Sequence, residues 1–288
     1  MLQSFSKILP IRLPRIGAVA ALLALLAAPQ AVLAQGDLLV APTRIVLNGG
    51  GATEILLSNI GTTVATYRVS LELRRMTDKG ELVPVDEATA NPAQKAALAM
   101  IRYAPRRVVI EPGQPQSVRL SARPDAALPD GEYRVHMLFR AVPDAAPLED
   151  PSKPAAVIAA KSVVIKLVPI YGITIPVIVR KGQLTATATI ANPRLTTANG
   201  QPALELTLTR SGTRSVSGEI RVLPQSGGEP VLMARGIAVY PELEKRSATL
   251  GLSAEQAAKL KGGRWKIEYR ELGENGGALI ASLDTAIN

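Results

Sequence analysis

The chain has 288 residues, enough for one large core or two of about 100–150 residues each. It contains no cysteine and a single histidine, which excludes a disulfide framework, thiol catalysis, cysteine metal sites and a histidine metal cluster. The net charge of +9 is spread in pairs such as Arg74-Arg75 and Arg106-Arg107 with few aromatics between them, a pattern that argues against a nucleic-acid-binding face.

In chain order, Lys7, Arg12 and Arg15 precede the apolar "IGAVAALLALLAAP" and then "AVLAQGD", the three regions of a secretory signal peptide. Cleavage is expected after Ala34, because small residues stand at the cut point; a retained signal anchor is the alternative. Removing residues 1–34 takes away three cations and no acid, so the net charge falls from +9 to +6. No cysteine follows the cut, which excludes a lipoprotein. An exported protein without stable membrane insertion is the expectation.

Beyond the leader the dominant period is two. "DLLVAPTRIVLNGG" predicts an extended segment ending in a glycine turn, followed by strands in "TEILLSNIG" and "TYRVSLELRRM". The alanine-rich "PAQKAALAM" predicts a short connecting helix. "RYAPRRVVIEPGQPQSVRLSAR" reads as strand, turn and strand, with Pro112-Gly113 at the centre of a type II turn. "DGEYRVHMLFRAV" predicts another strand after an Asp130-Gly131 turn. "PDAAPLEDPSKPAA", with Pro143, Pro147, Pro151 and Pro154, predicts a mobile loop.

Ser162–Gly182, "SVVIKLVPIYGITIPVIVRKG", is long and apolar, yet Pro169 and Pro176 would break a helix twice. As a strand, its odd positions from Val163 to Val179 form one apolar face, while Lys166 and Arg180 fall on the other. Prolines place such a strand at a sheet edge, and an apolar edge invites pairing with another chain.

From Gln183 the strand pattern restarts in "QLTATATIANPR", "ALELTLTRSG", "SGEIRVLPQ", "VLMARGIAVY", "RSATLGLS" and "RWKIEYREL". One helix is predicted in "SAEQAAKLKGG", capped by Ser253 and stopped at Gly262. The expected organisation is a signal peptide over 1–34 and two all-β domains over 35–180 and 181–288.

Catalytic constellations are missing: there is no phosphate-binding glycine loop, metal-ligand spacing or nucleophile elbow. His136 is expected at a sheet surface or core edge, and Glu242 and Glu244 as solvated loop charges. No enzyme activity and no cofactor are expected.

"VAPTRIVLNGG", "LLSNIG", "IEPGQPQSVRLS", "LPDGEYRVHMLFRAVP" and the long apolar strand, in this order and spacing, resemble the PapD-like periplasmic chaperones of pilus assembly. The resemblance spans about Leu38 to Arg180 and implies two immunoglobulin-like β-sandwiches in tandem with a cleft between them. It implies a periplasmic protein whose partners are pilus (fimbrial) subunits and an outer-membrane usher. By position, it implies that Val163, Ile165 and Leu167 are donated to the subunit's open groove.

The resemblance also implies that basic residues hold the subunit's terminal carboxylate. Arg44 matches the usual arginine of the first strand. The family's lysine on the long strand has no clear counterpart, since its place falls near Thr174; Lys166 under a shifted register, or Arg134 on the neighbouring strand, are the candidates. The alternative to a chaperone is an exported immunoglobulin-like structural or binding module of a surface appendage.

Overall fold

The computed structural model describes residues 38–143, 170–272 and 277–287, all within one compact unit, Gly36–Asn288. The leader, most of the proline-rich loop, and Val163, Ile165, Lys166 and Leu167 lie outside the described residues. The chain is all-β: two immunoglobulin-like sandwiches in tandem, each closed around its own apolar core.

The first stretch, read as one extended segment, forms two strands, β1 (Leu38–Ala41) and β2 (Ile45–Asn48). β1 pairs antiparallel with β3 (Gly51–Asn59), whereas β2 pairs parallel with β10 (Gly172–Lys181) in the opposing sheet. The crossing falls at Pro42, which has no N–H to extend a ladder. The same device recurs at Pro105. There "RYAPRRVVI" splits into β6 (Ile101–Ala104), paired with β8 (Pro115–Ala122), and β7 (Arg107–Ile110), paired with β4 (Ala65–Met76).

The first sandwich thus packs the sheet β1-β3-β8-β6 on a sheet ordered β2-β10-β9-β4-β5, where β9 is Gly131–Val142 and β5 is Leu82–Val85. Between β7 and β8, Gln114 N–H donates to Glu111 O at 3.1 Å and Gly113 has φ 71°, the geometry of a type II turn. Helix α1 (Pro92–Met100) is closed by a reciprocal cap between Asn91 and Gln94 and buries Ala97 and Met100 on the core.

The second sandwich packs β11 (Ala186–Ala198), β12 (Gln201–Gly212) and β15 (Lys245–Gly251) on β14 (Leu232–Val239), β13 (Val216–Pro224), β16 (Arg264–Arg270) and β17 (Leu279–Ala286). Helix α2 (Ala254–Leu260) starts at the Ser253 cap. The alternation rule places β16 well, since Trp265, Ile267 and Tyr269 fill the core. β17 escapes that rule because Ala281, Ser282 and Ala286 carry little apolar contrast.

Sheet alternation explains what β9 and β10 present on each side. Val135, Met137 and Phe139 of β9 and Ile175, Val177 and Val179 of β10 fill the first core. Their neighbours Arg134, His136 and Ile178 lie on the reverse face. There Ile178 packs with Met76, Ala238 and Tyr240, so the second sandwich covers this part of the first.

Candidate functional site

Two features meet on that reverse face: an open sheet edge and a cluster of guanidinium groups. β10 pairs with β9 along its whole length, from Gly172↔Arg140 to Lys181↔Gly131. On its other side β2 covers Val177 to Arg180 alone. Among the described residues, Gly172–Pro176 therefore have a ladder neighbour on one side. Ile170 and Tyr171 lead into this edge with 48% and 46% of their surface exposed.

Arg44 stands where β2 begins. Its Nη2 donates to Ser215 Oγ at 3.2 Å and its Nη1 to the Tyr240 hydroxyl at 3.4 Å, both on the second sandwich. The guanidinium lies 5.7 Å from the Tyr240 ring centre. Among the described residues Arg44 has no carboxylate partner.

Arg134 reaches the same ring from β9, with its guanidinium carbon 3.5 Å from the ring centre. It differs from Arg44 in being engaged already: Nη2 donates to Glu242 Oε1 at 2.6 Å and to Arg74 O at 3.0 Å. Glu242 also accepts from the Met76 amide at 2.9 Å, so this acid is a clasp between the sandwiches and not the solvated loop charge expected.

Arg180, at the end of β10, donates from Nε to Glu132 Oε2 at 3.0 Å. That carboxylate is fully buried and also accepts from the amide and hydroxyl of Ser215, at 3.1 and 2.9 Å. Sequence reasoning missed Arg180, Glu132, Ser215 and Tyr240. Arg180 carried a signal, as the cation that ends an apolar strand; the other three became meaningful only once the sandwiches met.

His136 is only 1% exposed, and among the described residues neither ring nitrogen has a hydrogen-bond partner. Loss of water, and then the nearby charges of Arg134, Arg74 and Arg44, lower its pKa to about 3. It is a neutral spacer, deeper than the surface or core-edge position expected.

A cavity of about 400 Å³ opens beside Arg44, lined also by Arg180, Arg214, Val46, Leu272 and Leu279. Among the described residues no group of three or more His, Asp or Glu could hold a metal ion, and no helix is long and apolar enough to cross a membrane.

The sequence matches no protein-family model and no curated protein. Solved structures similar to this chain include the YadV chaperone, at 14% identity and TM-score 0.44, covering 87% of this chain and all of that one. Another is the CsuC-CsuE chaperone-tip adhesion subunit pre-assembly complex from archaic chaperone-usher Csu pili of Acinetobacter baumannii, at 14% identity and TM-score 0.43, covering 88% and 100%. A third is the CupB2 chaperone of Pseudomonas aeruginosa, at 13% identity and TM-score 0.40, covering 86% and 100%.

Proposed function

We propose that this protein is an exported, non-enzymatic chaperone that holds subunits of a pilus-type fibre in the periplasm and passes them to an outer-membrane usher. The observation that carries the reading is the edge of β10 over Gly172–Pro176, unpaired among the described residues, which stops where Arg44 and β2 begin. An added strand gains main-chain hydrogen bonds from that edge and side-chain specificity from alternate residues.

β2 already occupies the next ladder positions, since Ile45 pairs with Val177. A strand added along the open edge must therefore end beside Arg44. If it runs parallel to β10, its carboxyl end arrives there, and a guanidinium without a carboxylate partner suits that charge. An antiparallel strand would bring an ammonium group to the same cations.

In this reading the alternating run upstream of β10 supplies Val163, Ile165 and Leu167 to the subunit's groove. Burying three aliphatic side chains at about 1.5–3 kcal/mol each outweighs the ordering of a short segment. Arg44 is the principal anchor of the subunit's carboxylate. Arg134 serves only if Glu242 lets it go, and Lys166 belongs to the donated run. Residues 35–180 act as the donating domain and 181–288 as its partner across the cleft, after removal of the 1–34 leader.

The test is native-mass measurement of the protein from periplasm after co-expression with the products of neighbouring genes. A one-to-one complex with a β-rich subunit is expected, lost in Leu167→Glu and weakened at least tenfold in Arg44→Ala, since a charged hydrogen bond contributes about 1.5–3 kcal/mol. Equal complex formation in all three proteins, or a wild-type monomer beside every neighbour, contradicts the proposal and leaves a secreted binding module.

A further inference from the structure

The face of the first sandwich that carries His136 holds a second group of cations, away from the second sandwich. Four residues beyond His136 on β9, Arg140 stands directly opposite Arg68 of β4, and Arg68 stands directly opposite Arg107 of β7. Residues opposite one another across a ladder point to the same side, with Cα atoms about 5 Å apart. Three arginines therefore lie abreast on three strands. All three are exposed, and among the described residues none of their guanidinium groups forms an ion pair.

Nothing in these strands answers that charge. Glu72 and Glu132 share the face, but they lie nearer the second sandwich and are held by Arg74 and Arg180. Residues 144–169, which join β9 to β10, add three acids and three lysines and so no net charge. Like charges directly opposite each other weaken a sheet, and β-branched residues would suit these positions better. The row therefore costs the free protein stability, and a negative partner would offset that cost.

Its position says which partner. On its other side Arg140 pairs with Gly172, the first residue of β10 and the far end of the edge from Arg44. The row Arg107-Arg68-Arg140-Gly172 thus runs straight to the place of an added strand. Gly172 has no side chain to stand in between, and a Cβ there would come within 3.0 Å of Leu138 Cδ1. The residue of an added strand that faces Gly172 lies two strand spacings, about 10 Å, from Arg140. An arginine and a glutamate side chain span that gap together.

We propose that the chain received by β10 carries an acidic side chain opposite Gly172, and that Arg140, backed by Arg68 and Arg107, recognises it. The inference rests on the strand-addition reading above. It names the chemistry of the cargo strand: β-forming, with one acid at the end of the edge remote from Arg44.

The test uses calorimetric titration with ten-residue peptides of alternating Val and Thr, in which a single Glu, or Gln as the neutral control, is moved along the chain. Wild type is expected to bind the Glu form about fivefold more tightly than the Gln form at one register position. Raising NaCl to about 0.5 M should remove that preference. Arg140→Thr and Arg68→Thr are expected to remove it too, with the affinity for the Gln form unchanged and the urea midpoint of the free protein equal to or above wild type. If Glu and Gln bind equally at every position, or the preference survives in both variants, the acidic cargo is overturned, while binding of the Gln form still supports strand addition. Arginine-dependent binding to phosphatidylglycerol vesicles without any preference for Glu would assign the row to a membrane surface and also overturn it. If wild type binds no peptide of either form, both proposals fall together.

Discussion

Replacing Glu132 by alanine is expected to cost about 3–5 kcal/mol of unfolding free energy. The carboxylate is fully buried and accepts three hydrogen bonds on one oxygen, from Arg180 and from both donors of Ser215. Without it, the amide of the buried Ser215 has no acceptor there, and Arg180 stands uncompensated beside Arg44 and Arg214. An unpaired buried donor and an unpaired charge each cost more than the original bonds contributed.

Because Glu132 lies in the first sandwich and Ser215 in the second, the variant should also separate their unfolding. Urea titration followed by the fluorescence of Trp265, the single tryptophan, reports the second sandwich, and far-ultraviolet circular dichroism reports both. Coincident transitions in wild type and divergent ones in Glu132→Ala are the expected result. Glu54→Ala, which removes an exposed pair with Arg119, should change almost nothing. Similar losses in the two variants would show that Glu132 is not the keystone of the junction.

The second large effect concerns acid. His136 has a folded pKa of about 3 against an ordinary 6.5, so above 6.5 the imidazole is neutral in both states and its contribution is complete. As pH falls below 6.5 the unfolded chain binds a proton that the folded chain refuses until about 3. Stability is lost across that window at up to about 1.4 kcal/mol per pH unit. The cause is burial first, then Arg134, Arg74 and Arg44; Glu72 on the facing strand offers no relief, since it is bonded to Arg74 at 2.6 Å and Thr174 at 3.3 Å. Between pH 7 and 4.5, denaturant titrations should show wild type losing about 2–3 kcal/mol more than His136→Leu. Equal losses would mean that His136 accepts its proton while folded.

Much of the fold was legible because it is local. Alternation marked β3, β4, β8, β9 and most strands of the second sandwich, and the Pro112-Gly113 pair marked its turn. The prolines at 42 and 105 were visible, but which sheet each following strand joins depends on partners far along the chain: Ile45 meets Val177, and Arg107 meets Arg68.

The site was less legible for the same reason. Arg44 could be singled out as a cation on the first strand, but its hydrogen-bond partners Ser215 and Tyr240 lie 171 and 196 residues away. Glu132 and Arg180 are 48 residues apart, and no periodicity announces such a pair. His136 shares a face with Arg134 by simple alternation. That this face is covered by the second sandwich, and the imidazole buried, is a property of the assembled chain alone.

The central claim, that β10 offers its open edge to another chain, is tested most directly by amide hydrogen exchange across Ile170–Pro176 in the free protein and in its purified one-to-one subunit complex. The prediction is rapid exchange of the outward-facing amides in the free protein and strong protection in the complex, with β9 unchanged between the two. A complex that leaves Ile170–Pro176 exchanging as in the free protein would contradict strand addition at this edge.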